Sequence, residues 1–196
     1  MDSSKVQLSA EEMDLVRNRQ WILTKQAVTE KLYELFGAVA SEMQDRMNAH
    51  REDFSEEVIN SSPKISKGEL YKNFPWVVLD YPRVFSKTDV FALRCFFWWG
   101  AYFSFSIHLR GEYLRRYGPL LLQEIRNGQF EGWKVAVDGD EWNFDLADYD
   151  NAKSLASKGK SYDQFLKLSV KIDFEEWNGL QKKLVDNFAW LMQKLV

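Results

Sequence analysis

The sequence predicts an α+β fold, an antiparallel sheet of about five to six strands covered by a long N-terminal helix, a middle helix and a C-terminal helix. Three observations predict it. Apolar residues recur at helical spacing near both ends of the chain, from Trp21 to Met47 and from Trp177 to Leu195. Between them lie short apolar runs bounded by Gly, Pro, Asn and Asp, the lengths and punctuation of strands. Aromatic residues make up 15% of the 196 residues, enough to fill a substantial core. At this length one core is the default, so 1–196 reads as a single domain. Its residues 1–60 form a mainly helical segment that packs on the α+β core or projects from it.

The first helix starts with a capping box, Ser9 with Glu12 three residues on. No proline precedes Pro63, so the helix can run to about residue 50. A helix of roughly 40 residues spans about 60 Å, longer than a small domain is wide. It must therefore bend, break or project into a partner, and a homodimer through this helix is one expectation. A loop follows from Asn60 to about Phe74, then a short strand at 76–79 closed by Asp80-Tyr81-Pro82-Arg83.

Residues 91–98 and 101–109 read as a hairpin about Trp99-Gly100. A helix is expected over 112–127, ended by Gly128 and kinked or split at Gly118-Pro119. A second hairpin joins 133–137 to 142–146, a loop covers 151–161, and 164–172 is an edge or half-buried strand. Asp173 with Glu176 caps the final helix.

Composition excludes several classes. The single cysteine, Cys95, rules out an internal disulfide and fits a reducing compartment, so a cytoplasmic protein is expected. No run is long and apolar enough for a membrane span, and no signal peptide is read at the N-terminus. The net charge of −3 divides unevenly, with −5 over residues 1–63, +5 over 64–116 and −3 over 117–196. A chain acidic overall is a poor match for nucleic acid, whereas the basic middle suits a small anionic ligand. Two histidines in different elements and one cysteine give no metal-ligand spacing, and no glycine-rich cofactor fingerprint is present. No metal and no cofactor are expected.

The candidate site residues lie in the basic, aromatic middle. They are Arg94, His108, Tyr81, Asp80, Arg83 and Tyr102. Lys64, Lys67 and Lys72 in the preceding loop could also meet an anion. With the expected hairpin, Ala92, Arg94, Phe96 and Trp98 share a face with Phe103, Phe105, Ile107 and Leu109. An arginine there needs a carboxylate or an anion, because an unpaired buried charge is expensive. Asp80 is its candidate partner, so Arg94 is either half of an internal ion pair or an anion anchor. The opposite face then carries a polar stripe of Tyr102, Ser104, Ser106, His108 and Arg110, with Cys95 across from Ser104. Such a stripe lines a pocket or is simply a solvated strand face. Trp98 and Trp99 point opposite ways, so one of them lies at a surface, groove or interface.

The stretch from Lys64 to Phe85, with its Asp80-Tyr81-Pro82-Arg83, together with Phe97-Trp98-Trp99-Gly100, resembles a family of uncharacterised bacterial proteins of about 200 residues. The resemblance covers mainly residues 64–110 and implies no activity, cofactor or catalytic residue. The sequence thus leaves two function classes. One is a non-enzymatic binding or interaction module with an aromatic, locally basic site for a small or anionic ligand. The other is an enzyme without a recognisable motif, a hydrolase or transferase using His108 as acid–base.

Overall fold

The computed structural model describes residues 6–158 and 162–196 and divides into two compact units, residues 1–35 and 36–196. In the first unit α1 (Ala10–Arg17) carries the expected capping box, with both the Ser9 and the Glu12 side chains bonded to backbone. The helix breaks at Asn18. Its side chain accepts from the Trp21 amide 2.9 Å away and starts α2 (Arg19–Ala49), which continues into the second unit. Leu15, Val16, Trp21 and Leu23 are exposed.

The second unit is α+β. After α3 (Glu56–Ile59) the chain forms β1 (Lys64–Tyr71), β2 (Phe74–Phe85), β3 (Val90–Trp98) and β4 (Tyr102–Arg110). Then come α4 (Glu112–Arg126), β5 (Lys134–Ala136), β6 (Asp150–Asn151), α5 (Ala152–Lys158), β7 (Phe165–Ile172) and α6 (Leu180–Gln193). The sheet has seven strands in the order β1-β2-β3-β4-β7-β5-β6, one or two more than expected, and neighbouring strands pair antiparallel.

Several expectations need correction. The loop over 60–74 contains strand β1, joined to β2 by the two-residue turn Lys72-Asn73, both left-handed. That backbone matches the twist of a hairpin, and Asn tolerates it, but the pair lacks the Asn-Gly signal that would announce it. Residues 142–146 form no strand; β5 pairs instead with β6 and β7. The 151–161 loop contains α5, and the rest of that expectation, 159–161, lies outside the described residues. The strand expected over 164–172 as an edge or half-buried one, β7, lies inside the sheet between β4 and β5, which is why five of its eight residues in a row are buried. The expected final capping box forms at Asp173 and Glu176, but it opens a 3-10 helix, Phe174–Gly179, that leads into α6.

The central hairpin pairs as expected but in another register. Its loop has three residues, with Gly100 at φ +71°, a conformation that glycine adopts without Cβ strain. Trp98 therefore faces Tyr102, Phe96 faces Ser104, Arg94 faces Ser106 and Ala92 faces His108. A two-residue loop would have shifted β4 by one position. Because side chains alternate, that one residue turns the whole strand over. The true faces are thus Arg94 with His108 on one side, and Cys95 with Phe105 on the other.

One face is apolar and covered by helices. Phe91 meets Tyr117 of α4 at 5.5 Å between ring centroids, and Phe105 meets Trp133 at 6.3 Å. Trp133 and Phe130 pass the packing on to Trp190 of α6 at 5.6 and 4.9 Å. The other face carries Asp80, Arg94, Ser104, Ser106, His108, Lys167 and Ser169, and among the described residues no α-helix covers it. A strap of residues 141–149 does, irregular except for a 3-10 turn, Leu146–Asp148.

Candidate functional site

Two bulges assemble a site on the strap-covered face. In β2 the register slips between Asp80 and Arg83, at Tyr81-Pro82, where proline cannot donate to the ladder. The extra residue flips the alternation. Arg83, three residues after Asp80 and otherwise on the opposite face, joins it on the same one. In β1 a slip between Gly68 and Tyr71 does the same for Tyr71. The four strand residues Lys64, Asp80, Arg94 and Ser106 then stand side by side across neighbouring strands.

Asp80 and Arg94 form a bidentate pair, Nε to Oδ1 at 2.6 Å and Nη2 to Oδ2 at 2.8 Å. Their side chains are 8% and 15% exposed, so the pair is desolvated and needs both hydrogen bonds to stand there. Of the two readings of Arg94, the internal pair is the one formed. Its guanidinium also lies 4.5 Å from the centre of the Phe144 ring, a cation–π contact from the strap.

Beside this pair opens a cavity of about 260 Å³. Tyr71, Trp76, Phe96 and Phe144 give it an aromatic wall, while Lys64, Arg83, Arg94 and Asp80 give it a polar end. Trp76 lies close over Gly68 of the neighbouring strand. A Cβ there would come within 2.6 Å of the indole, so only glycine lets the ring lie flat against β1. Trp76 and Phe96 are inclined by 33°, as are Phe96 and Phe144, while Tyr71 stands edge-on to Phe96 and Phe144 at 88° and 61°. Among the described residues neither Lys64 nor Arg83 forms an ion pair. Arg83 donates Nε to the Ser62 carbonyl at 2.9 Å, which leaves its terminal nitrogens.

The strap is held down by side chains of the sheet. Tyr71 donates its hydroxyl to Asn143 Oδ1 at 2.8 Å and accepts from the Phe144 amide at 2.6 Å. Tyr102 donates to the Phe144 carbonyl and accepts from the Leu146 amide. Burial raises the Tyr102 hydroxyl to about 12, so it stays a hydroxyl. Lys167 donates to the carbonyls of Glu141 and Asn143, and its ammonium position lies 4.1 Å from the Phe144 ring centre. At the turn, Lys72 binds Asp145 at 2.7 Å and Asp148 at 2.9 Å.

Of the residues expected in a site, Asp80, Arg83 and Arg94 line the cavity. Tyr102 shares their face but serves the strap, packed among Val78, Phe96, Trp98 and Leu146. Tyr81 is buried outside the cavity wall. His108 is 5% exposed and likewise not on the wall; Trp142 and Phe165 enclose it. Its Nε2 lies 3.0 Å from Glu141 Oε2, but Arg110 already engages that carboxylate. Burial first, then Lys167, Arg94 and Arg110, push the imidazole down to about 2, so it is neutral. Lys67 falls on the opposite face of β1 from Lys64, and Lys72 is spent on the strap.

Trp76, Phe144 and Lys167 were missed as functional residues. The tyrosine–proline pair inside an apolar run was the available signal for the β2 bulge. Nothing in the sequence marks Phe144 as a cover or Lys167 as buried. Trp98 is buried and Trp99, in the turn, is half-buried. No described helix is long and apolar enough to cross a membrane. The chain matches no family model, no curated protein and no solved structure.

Proposed function

We propose that this protein is a non-enzymatic binding module whose site is the aromatic, locally basic cavity between β1, β2, β3 and the strap. The observation that carries the reading is the cavity's own make-up. Five aromatic rings, those of Tyr71, Trp76, Phe85, Phe96 and Phe144, line about 260 Å³, and three cations at its polar end face a single carboxylate already satisfied by one of them. Ligand sites have this pattern, apolar walls with a few convergent polar groups. The volume suits a small ligand, just below the range of about 300–1,000 Å³ typical of such sites.

The enzymatic alternative with His108 as acid–base requires an imidazole within reach of a ligand. His108 lies under Trp142 and away from the cavity, so no observation favours that reading.

Ser66 lines the cavity from the edge strand and is half-buried, so Ser66→Trp fills the space without disturbing the helix-covered core. Native mass spectrometry and ligand-detected NMR against small aromatic compounds should show binding to the unmodified protein. S66W should lose it while keeping the same circular dichroism. Undiminished binding to S66W would place the site elsewhere and overturn the reading. The same native spectra read the oligomeric state. The exposed apolar residues of α1 and early α2 make that helical segment the place where two copies of a cytoplasmic protein would associate, and a strictly monomeric mass removes that idea.

A further inference from the structure

Resting on the cavity reading above, we infer that the ligand is a flat aromatic carboxylate of one or two rings, its ring on the wall of Trp76, Phe96 and Phe144 and its carboxylate at Arg83 and Lys64. The inference comes from counting which polar groups remain to offer. Both Asp80 oxygens accept from Arg94. The Tyr71 hydroxyl donates to Asn143 and accepts from the Phe144 amide. What is left is almost entirely donors: Arg94 Nη1, the terminal nitrogens of Arg83 and the Lys64 amine, with the Ser66 hydroxyl able to serve either way.

A cation entering this space meets two uncompensated positive side chains, with the Ser66 hydroxyl the acceptor left to offer. A neutral amide would fill the apolar part but leave the guanidinium of Arg83 to water. An anion satisfies the donors with charge-assisted hydrogen bonds, and arginine presents a fork that fits a planar carboxylate. Lys64 is exposed and Arg83 half-buried, so the carboxylate sits at the mouth and is only partly stripped of water. That keeps its desolvation cost low while the ring is buried.

The shape argument is independent of charge. The three rings touch in succession, their centroids 6.3 and 5.4 Å apart and each pair inclined by only 33°, so they present neighbouring aromatic faces along one side of the cavity. A planar ring stacks along such a wall, whereas a puckered aliphatic ring touches it at fewer points. Gly68 keeps the Trp76 end of that wall flush.

The test uses the purified full chain and calorimetry with four matched probes: 2-naphthoate, 2-naphthamide, 2-naphthylmethylammonium and cyclohexanecarboxylate. Naphthoate is expected to bind about tenfold or more tighter than the amide, the ammonium not to bind, and cyclohexanecarboxylate to bind more weakly than naphthoate. In Lys64→Gln and Arg83→Gln the naphthoate affinity should fall towards that of the amide while the amide's own affinity stays the same. Lys64 is exposed on an edge strand, so K64Q keeps the test alive if R83Q disturbs the β2 bulge. Equal binding of acid and amide, or tighter binding of the ammonium, overturns the carboxylate inference and leaves the cavity reading standing. Cyclohexanecarboxylate binding as tightly as naphthoate overturns the flat-ring part. If none of the four binds at millimolar concentration, the inference and the cavity reading fall together.

Discussion

The two faces of this sheet are built on opposite principles even where both are buried. Strand β4 shows it within nine residues, eight of them buried. Phe103, Phe105, Ile107 and Leu109 point to the helices; Tyr102, Ser104, Ser106 and His108 point to the strap. Alternation of this kind ordinarily marks a strand with one wet face. Here the covering element decides the polarity. A helix bonds its own backbone internally and asks of the sheet only apolar contact. An irregular strap cannot, so its buried amides and carbonyls must find partners beneath it. Tyr71, Tyr102 and Lys167 supply them. A polar sheet face can thus be an interior face, provided that what lies on it lacks regular structure.

The largest expected difference between the two faces is in what truncation does. Phe105 is fully buried among the helix-side aromatics. Phe105→Ala should destabilise the fold by about 3–5 kcal/mol, through lost burial and the cavity left behind. On the strap side, Tyr102→Phe removes one oxygen and no packing. It leaves the Leu146 amide and the Phe144 carbonyl without that partner, at about 1–3 kcal/mol. The two variants should also fail differently. Urea unfolding would report F105A as a global loss, whereas hydrogen exchange in Y102F would speed up at Leu146 before the sheet is affected. Equal protection of Leu146 in both proteins would mean that the strap is held by its apolar contacts alone.

What was legible in the sequence follows the same division. The α+β class, the Ser9 and Asp173 capping boxes, the central hairpin and the Asp80–Arg94 pair came from local patterns: periodicity, cap residues and charge complementarity. The faces did not. One extra residue in the Trp99–Ala101 loop turned Arg94 and His108 towards each other, and one extra residue at Tyr81-Pro82 brought Arg83 beside Asp80. Parity is a long-range property set by single residues at turns and bulges, so a small local error there moves every side chain downstream. The strap was illegible for another reason. Its structure comes from bonds to residues 24 or more positions away, such as Lys167 with Asn143, Tyr102 with Leu146 and Tyr71 with Asn143, and has no period of its own. Residues 142–146 accordingly read as a strand, the nearest regular pattern.

The smallest effect at neutral pH, and the one that most directly tests why the strap face is polar, lies at Lys167. Its side chain is 1% exposed, with Asp80 and Arg94 on β2 and β3, His108 and Arg110 on β4, and Asp140 and Glu141 on the strap around it. Burial first, then Arg94, push its amine from the ordinary 10.5 down to about 7, with Glu141, Asp140 and Asp80 opposing. Between those two values the unfolded chain binds a proton that the folded chain does not. Stability must therefore rise with pH across the window from about 7 to 10.5, and the penalty for burying the charged amine is fully present below it. Lys167→Met keeps the length and the contact with Phe144 but cannot titrate. Near pH 7 two effects oppose in this variant: the desolvation penalty disappears, and the Glu141 and Asn143 carbonyls lose a donor. The net change there should be small. The informative quantity is the slope. Urea unfolding at pH 7 and again near pH 9 should show the unmodified protein gaining stability relative to K167M. Parallel pH profiles for the two proteins would mean that Lys167 stays charged beneath the strap. The polar face would then be an ion network rather than a set of neutral donors matched to the backbone above them.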